Sequence, residues 1–375
     1  MGFEIDYLPV GQKAEDKSGD AIAMRFWDTT PAQSFIITVD GGTRESGMAL
    51  TEHIKKYYKT TTVNLAILTH PDADHASGIL DVLEQMKVQK LFSFVPWEHA
   101  NEILPLVQAA DSRATVSSIE KRLKDAFPAT VKAIELARKG GTKVIEPFAR
   151  NLHYDLTQTT QLFSLGPLRD KYLSTWLPNY DCLPAQPARQ PGLQRRLVKM
   201  AGRAIKWATE TWDKELLTDP EEDETTSENN SSTVFSIRQE EKRFLFCGDA
   251  GVPALVDALT LGKTLGFPVN GFSFFHVPHH GSRHNLGPSL LNCMFGNPKA
   301  GPGEVPSVTA FISATKDDPK HPSRRLTNAL NRRSVRSIAT AGSSVLFYSH
   351  DYEDRGWAKA EPIPFYSQVE DIEEN

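Results

Sequence analysis

Residues 68–75 read Leu68-Thr69-His70-Pro71-Asp72-Ala73-Asp74-His75, which places four ligand-type side chains within six positions. They follow the short apolar run 63–68, whose length and continuity predict a buried strand. Residues 76–83 then read as a turn entering an amphipathic helix. Two imidazoles and two carboxylates therefore sit on a strand-to-helix loop at the end of a sheet. That combination points to a metal site with both nitrogen and oxygen donors.

Strand and helix signals continue on both sides. Residues 3–10, 21–27 and 34–39 read as strands, the last ending in Asp40-Gly41-Gly42, and a helix is expected over 47–58. This alternation predicts an α/β architecture. From 96 to 224 the pattern changes and predicts a mainly helical insertion. A helical period over 117–139 is interrupted by Pro128, short strand-like runs fill 142–166, and a proline-rich loop covers 183–191. A basic helix is expected over 193–212, and the acidic, polar stretch 218–232 predicts an exposed connection. Strands at 233–238, 243–247, 272–277, 307–313 and 344–348, with helices at 254–261 and 324–332, complete a second half over 225–365. Residues 366–375 read as an acidic, frayed tail. The expected organisation is a first half (1–95), an insertion (96–224), a second half (225–365) and that tail.

With 375 residues the chain is long enough for one large domain or two ordinary ones. A net charge of −5 argues against a protein that coats nucleic acid generally, while leaving room for a local basic groove. There is no apolar run of transmembrane length, and the first residues have neither the basic start nor the apolar core of a signal peptide. Cys182, Cys247 and Cys293 are odd in number and widely spaced, which fits a reducing compartment. A cytoplasmic location and no membrane partner are expected.

Two more strand ends carry ligand-type residues: Gly248-Asp249 and Pro278-His279-His280-Gly281-Ser282. Together with His70, Asp72, Asp74 and His75 they could converge on two metals, with Asp249 as the bridging carboxylate. Strand alternation alone leaves open which of His279 and His280 binds metal. The order His-x-Asp-x-Asp-His, Gly-Asp and His-His-Gly-Ser resembles the metallo-β-lactamase superfamily, and more narrowly the metallohydrolase domain of ComEC-type competence proteins. Val10-Gly11-Gln12, Gly19-Asp20-Ala21, Asp40-Gly41-Gly42, Asn229-Asn230-Ser231-Ser232 and His321-Pro322-Ser323 fit the same pattern. The resemblance covers roughly 3–95 and 225–350 and implies an αββα sandwich. It departs from the superfamily at Asp72, where a histidine is usual, and at Asn229 or Asn230, where another usually stands. Both changes favour oxygen donors, so manganese stands beside zinc as the expected pair of divalent ions. The membrane channel of competence proteins is absent, so a DNA-uptake role does not carry over.

Plainer readings stand beside these. Asp74 could cap the helix that follows it, Asp249 could be a turn residue, and His321 could open a surface helix. In the chemical reading, Asp74, His280 and His321 are the catalytic candidates. Asn230, Ser282 and His284 are the substrate candidates. Arg196, Lys199, Arg203 and Lys206 recur at helical spacing on one face. They would hold phosphates by charge, or form an ordinary solvated face.

The expected reaction is hydrolysis by a hydroxide that two metals make available near neutral pH. The leading substrate is a phosphodiester, with nucleic acid favoured by the resemblance and the basic stripe. A small phosphodiester, acyl ester or lactone is the second reading. A subunit of a larger, defence-type assembly, docking a protein partner through 96–224, is the third. No Ser-His-Asp arrangement, Walker lysine or dinucleotide fingerprint competes.

Overall fold

The structure, a computed structural model, describes residues 1–375 apart from 14–15, 151–152, 185–205, 222–223, 268–269, 300, 302–305, 351–352 and 372–375. The chain begins with β1 (Gly2–Tyr7), β2 (Ile22–Trp27) and β3 (Phe35–Val39), then α1 (Arg44–His53) and β4 (Thr62–Ile67). The short α2 (Ala73–Ala76), α3 (Ile79–Gln85) and β5 (Lys87–Phe92) follow. Next come α4 (Ala100–Gln108), α5 (Val116–Ala126), α6 (Pro128–Lys139), β6 (Lys143–Ile145), β7 (His153–Asp155), β8 (Thr160–Gly166) and the short α7 (Arg169–Lys171). The remainder runs β9 (Lys206–Thr209), α8 (Ser227–Asn230), β10 (Val234–Gln239), β11 (Lys242–Phe246), α9 (Val252–Thr264) and β12 (Phe274–His276). It ends with α10 (Pro288–Phe295), β13 (Val308–Ile312), α11 (Arg324–Arg332), β14 (Val335–Ala339), β15 (Val345–Tyr348) and β16 (Gln368–Asp371).

Among the described residues the strands form two seven-stranded sheets, β15-β1-β2-β3-β4-β5-β6 and β14-β13-β12-β11-β10-β8-β7, with a separate β9–β16 pair. One apolar core joins residues of both sheets, among them Phe3, Tyr7, Ile37, Leu65, Phe246, Phe274 and Phe311, so the sheets stack face to face. A second core packs Leu50, Ile79 and Val82 beneath the outer face of the first sheet. A third does the same for Leu255, Leu291 and Leu326 on the second. Four layers result, in the αββα order expected from the sequence. Because both faces of each sheet are covered, β1 and β2 are buried along their whole length rather than at alternate positions.

The expected organisation needs three corrections. Residues 96–224 are not set apart as a helical insertion: β6 pairs in parallel with β5 in the first sheet, while β8 lies between β7 and β10 in the second. Short strand-like runs were legible there, but pairing partners distant in sequence were not. The expected basic helix over 193–212 fails at its end, because Lys206 opens β9 and pairs with Asp371 of β16. Arg196, Lys199 and Arg203 lie outside the described residues. The tail is not frayed over 368–371, since Glu370 accepts hydrogen bonds from the backbone amides of Arg324 (2.8 Å) and Arg325 (3.4 Å) at the start of α11. A carboxylate there meets the unpaired amides and positive dipole of the helix N-terminus.

The polar stretch before β10 departs from its reading as an exposed connection only at its end, since 218, 219, 221 and 226 are exposed. Residues 227–232 are buried, and the Thr226 hydroxyl accepts from Asn229 N to cap α8. Pro128 acts as expected: it ends the period after α5 and sits in the first turn of α6, where its missing N–H is not needed.

Candidate metal centre

The site lies beyond the C-terminal ends of β4, β11 and β12, where parallel strands of the two sheets end side by side. β4 delivers Thr69 and His70, and His75 follows on α2. Gly248, with φ of 50°, turns the chain after β11 so that Asp249 enters the gap. After β12, His279, His280 and Gly281 all have positive φ (47°, 56° and 79°). Two successive non-glycine residues in the left-handed region cost energy and persist only where the surroundings impose them, most often at functional sites.

Four imidazoles converge on one carboxylate. Asp249 Oδ1 lies 3.5 Å from His75 Nε2. Its Oδ2 lies 3.9 Å from His70 Nε2, 3.7 Å from His279 Nε2 and 3.9 Å from His280 Nε2. The alternation expected for strand residues would have sent His279 and His280 to opposite sides. Their left-handed turn instead aims both at Asp249.

The opposite nitrogen of each ring is occupied. Asn285 Oδ1 lies 3.0 Å from His279 Nδ1, and its amide nitrogen donates to the Asp249 carbonyl at 2.9 Å, which fixes the amide orientation. Ser313 O accepts from His280 Nδ1 at 3.0 Å. Asp40 Oδ2 accepts from His75 Nδ1 at 2.8 Å. Thr69 Oγ1 gives its single proton to Asp40 (2.7 Å), so His70 Nδ1, 3.0 Å away, must donate to that hydroxyl. With Nδ1 of each ring so engaged, Nε2 is the nitrogen that faces Asp249, and whenever the ring is neutral that nitrogen is a bare lone pair. The buried atoms His70 Nε2, His75 Nε2 and Asp249 Oδ1 have no hydrogen-bond partner among the described residues. Lone pairs and a carboxylate facing one another across such distances repel unless a cation lies between them, and hydrogen bonding at the far nitrogen is what fixes metal-binding histidines. The donor set thus fits a divalent metal.

The electrostatics agree. Burial alone would drive His75 towards its neutral form, but Asp249 and Asp40 outweigh it and raise its pKa well above the usual imidazole range. Burial likewise opposes the charge on Asp249, yet His75, His279 and His280 hold it well below the usual carboxylate range. Positive charge is what this gap favours. His280 is pushed down to about 4, chiefly by burial, and so stays neutral.

Other expected site residues spread outward. The Asp72 carboxylate is 37% exposed and, among the described residues, its ion-pair contact is with His70 Nε2, at 3.9 Å. It occupies the N-cap of α2 without a side-chain cap bond. Asp74, half-buried on α2, makes no hydrogen bond or ion pair among the described residues, so neither its capping reading nor a contact with the cluster appears. His321 lies at the rim, its ring centroid 6.2 Å from that of His279 and its Nδ1 3.3 Å from Asp318. His284 is tied to Glu224 at 2.7 Å, and the buried Ser282 hydroxyl accepts from His284 N. Asn230 is buried with its Oδ1 unpartnered, whereas Asn229 approaches the cluster, 3.5 Å from His279 Nδ1.

Several residues behind the site carried no role in the sequence reading. Asp40 holds His75 and Thr69. Asp20, 1% exposed, lies 3.2 Å from His276 Nε2 and 4.0 Å from His75 Nδ1. Asp20 and Asp40 were visible only as parts of glycine-rich stretches, and His276 as one residue of an apolar strand.

No protein-family model matches the chain, and no curated protein matches it in sequence. Among solved structures it is similar to the metallo-β-lactamase fold protein YhfI of Bacillus subtilis, at 9% identity and TM-score 0.42, over 93% of this chain and 100% of that one. It is also similar to unliganded yeast PDE1, at 11% identity and TM-score 0.42, over 92% and 99%. Zn(2+)-bound PqqB of Methylobacterium extorquens gives 11% identity and TM-score 0.40, over 92% and 99%.

Proposed function

We propose that this protein is a metal-dependent hydrolase. Two divalent ions, zinc or manganese, would be held by His70, His75, Asp249, His279 and His280, with Asp72 and Asp74 at the open side. The observation that carries this reading is the convergence of four orientation-locked Nε2 atoms on the buried Asp249 carboxylate. Bound divalent ions supply the Lewis acidity that makes water nucleophilic near neutral pH.

The chain's own residues set the geometry. Asp40, Thr69, Asn285 and the Ser313 carbonyl hold the four rings, and the turn at Gly248 brings Asp249 among them. His321, with Nδ1 towards Asp318, offers Nε2 at the rim to hold or pass a proton. The preferred substrate is a phosphodiester, nucleic acid above all, and this rests on the motif order with its aspartate at 72 and asparagine at 229 or 230.

The test is metal analysis together with cleavage assays on wild type, His75→Ala and Asp249→Asn, with Mn²⁺ and Zn²⁺ added separately. Bound metal and cleavage of DNA or a chromogenic phosphodiester are expected in wild type. Both should be lost in the variants while circular dichroism is unchanged. Wild type that takes up no metal would overturn the reading, and turnover of a lactone alone would overturn its phosphodiester part.

A further inference from the structure

A cavity of about 450 Å³ opens at the far end of the second sheet, away from the metal centre. Strands β12, β13 and β14 run parallel. The site histidines follow the C-terminal end of β12, whereas the cavity is lined by Val335 and Arg336 at the beginning of β14. The segment carrying Ile363 and Phe365 forms another wall, tied to β14 by a hydrogen bond from Ile363 N to Ser337 O at 2.8 Å. The volume falls within the range of small-ligand sites.

The lining has a definite chemistry. Among the described lining residues, Arg336 and Lys359 set two positive charges against one carboxylate, Glu361, while Lys299 is engaged with the Ser334 hydroxyl at 3.5 Å. Arg332 also lines it but is committed elsewhere: its guanidinium pairs with Glu210 at 2.6 Å and donates to the carbonyls of Thr211, Trp212 and Lys214. Arg336 is different. It is half-buried, makes no hydrogen bond or ion pair among the described residues, and its buried Nε has no acceptor. A guanidinium left in that state lacks a partner it would normally have, and its planar fork matches phosphate oxygens.

Beside these cations stands an aromatic wall. Trp212 and Phe365 stack with centroids 4.4 Å apart and an interplanar angle of 18°, and Arg332 covers Phe365 at 4.9 Å. Phe365 therefore has a neighbour on each face, leaving half-buried Trp212 as the flat surface on offer.

We propose that this cavity binds a phosphate-bearing planar ligand, either a free nucleoside monophosphate or the 5′-phosphorylated end of a nucleic-acid strand. Its phosphate would meet Arg336 and Lys359, and its base would lie against Trp212. This site is separate from the metal centre and does not depend on the reaction proposed there.

Calorimetric titration of the full, metal-loaded chain with AMP, adenosine, inorganic phosphate and a 5′-phosphorylated trinucleotide tests it. AMP should bind saturably and at least tenfold more tightly than phosphate or adenosine alone. Arg336→Gln should weaken AMP at least tenfold and Lys359→Gln several-fold, with hydrolytic activity unchanged. AMP should also quench tryptophan fluorescence in wild type but not in Trp212→Phe. A trinucleotide that binds more tightly than AMP assigns the cavity to a strand end, and equal binding assigns it to the free nucleotide. Absence of saturable AMP binding overturns the proposal. So does AMP affinity unchanged in both Arg336→Gln and Lys359→Gln; because Lys359 is exposed, that second variant keeps the test open if the first is unstable.

Discussion

Asp40 and His75 are joined at 2.8 Å through His75 Nδ1, and the opposite nitrogen of the same ring lies 3.5 Å from Asp249. A carboxylate that touches none of the open site therefore decides which nitrogen of His75 carries a proton. The same carboxylate accepts from the amide and hydroxyl of Thr69, and through that hydroxyl it also sets His70.

Asp40→Asn should thus damage metal binding without touching a ligand. The amide can donate to His75 Nδ1 and so favour a proton on Nε2, which closes that nitrogen to a metal. Loss of such an outer partner typically costs about 10–100-fold in metal affinity. Competition with a chromogenic chelator should show a loss of that size, with an unchanged circular dichroism spectrum.

Glu228 gives a pH-dependent prediction. Burial first, and then the neighbouring Asp181 and Asp72, push its carboxyl up to about 7 against backbone hydrogen bonds that favour the charged form. A carboxyl whose pKa is higher in the folded than in the unfolded chain contributes its full stability below the unfolded value. That contribution is lost as pH rises through about 7. Gln at this position keeps an acceptor for Asp181 N (2.6 Å in wild type) and removes the buried charge. Glu228→Gln should match wild type in urea denaturation near pH 4 and exceed it by about 1–3 kcal/mol near pH 8.

Gly78 is required for space. A Cβ there would stand 1.9 Å from the Gly41 carbonyl oxygen and 2.6 Å from that of Thr43. Both are backbone atoms, so neither can swing aside. The close approach packs the loop after His75 against the start of α1, so Gly78→Ala should cost about 3 kcal/mol or more, the upper end for overpacking. Thermal unfolding would show it, with metal affinity falling in parallel as His75 is displaced.

Arg332 and Glu210 form a fully buried pair, 1% and 0% exposed at their side chains, that ties β9 to α11. Removing one partner of such a pair leaves a buried charge unpaired and costs about 3–5 kcal/mol. Arg332→Ala should lose that much stability in chemical denaturation and expose the region around β9 to limited proteolysis. Proteolytic resistance equal to wild type would contradict the structural role given to this pair.

Local chemistry made much of this protein legible. The spacing of His70, Asp72, Asp74 and His75 after an apolar strand, the Gly248-Asp249 turn and the paired histidines at 279 and 280 are signals carried within a few residues, because strands, tight turns and ligand loops are specified by near neighbours. The alternating elements likewise predicted an α/β architecture, and the family resemblance implied the αββα layers. What depended on distant neighbours could not be read this way. Lys206 continued a helical period, yet pairing with β16 placed it in a strand, and Glu370 belonged to an acidic tail until the amides of α11 gave it partners. Asp20, Asp40, His276 and Asn285 surround the ligands only because different strands end at the same level of two stacked sheets, and that level is set by register and packing. The sequence alone determined which residues could hold a metal. Tertiary structure decided that His279 and His280 both face Asp249, and that each ring presents Nε2, since only the fold places an acceptor at every Nδ1.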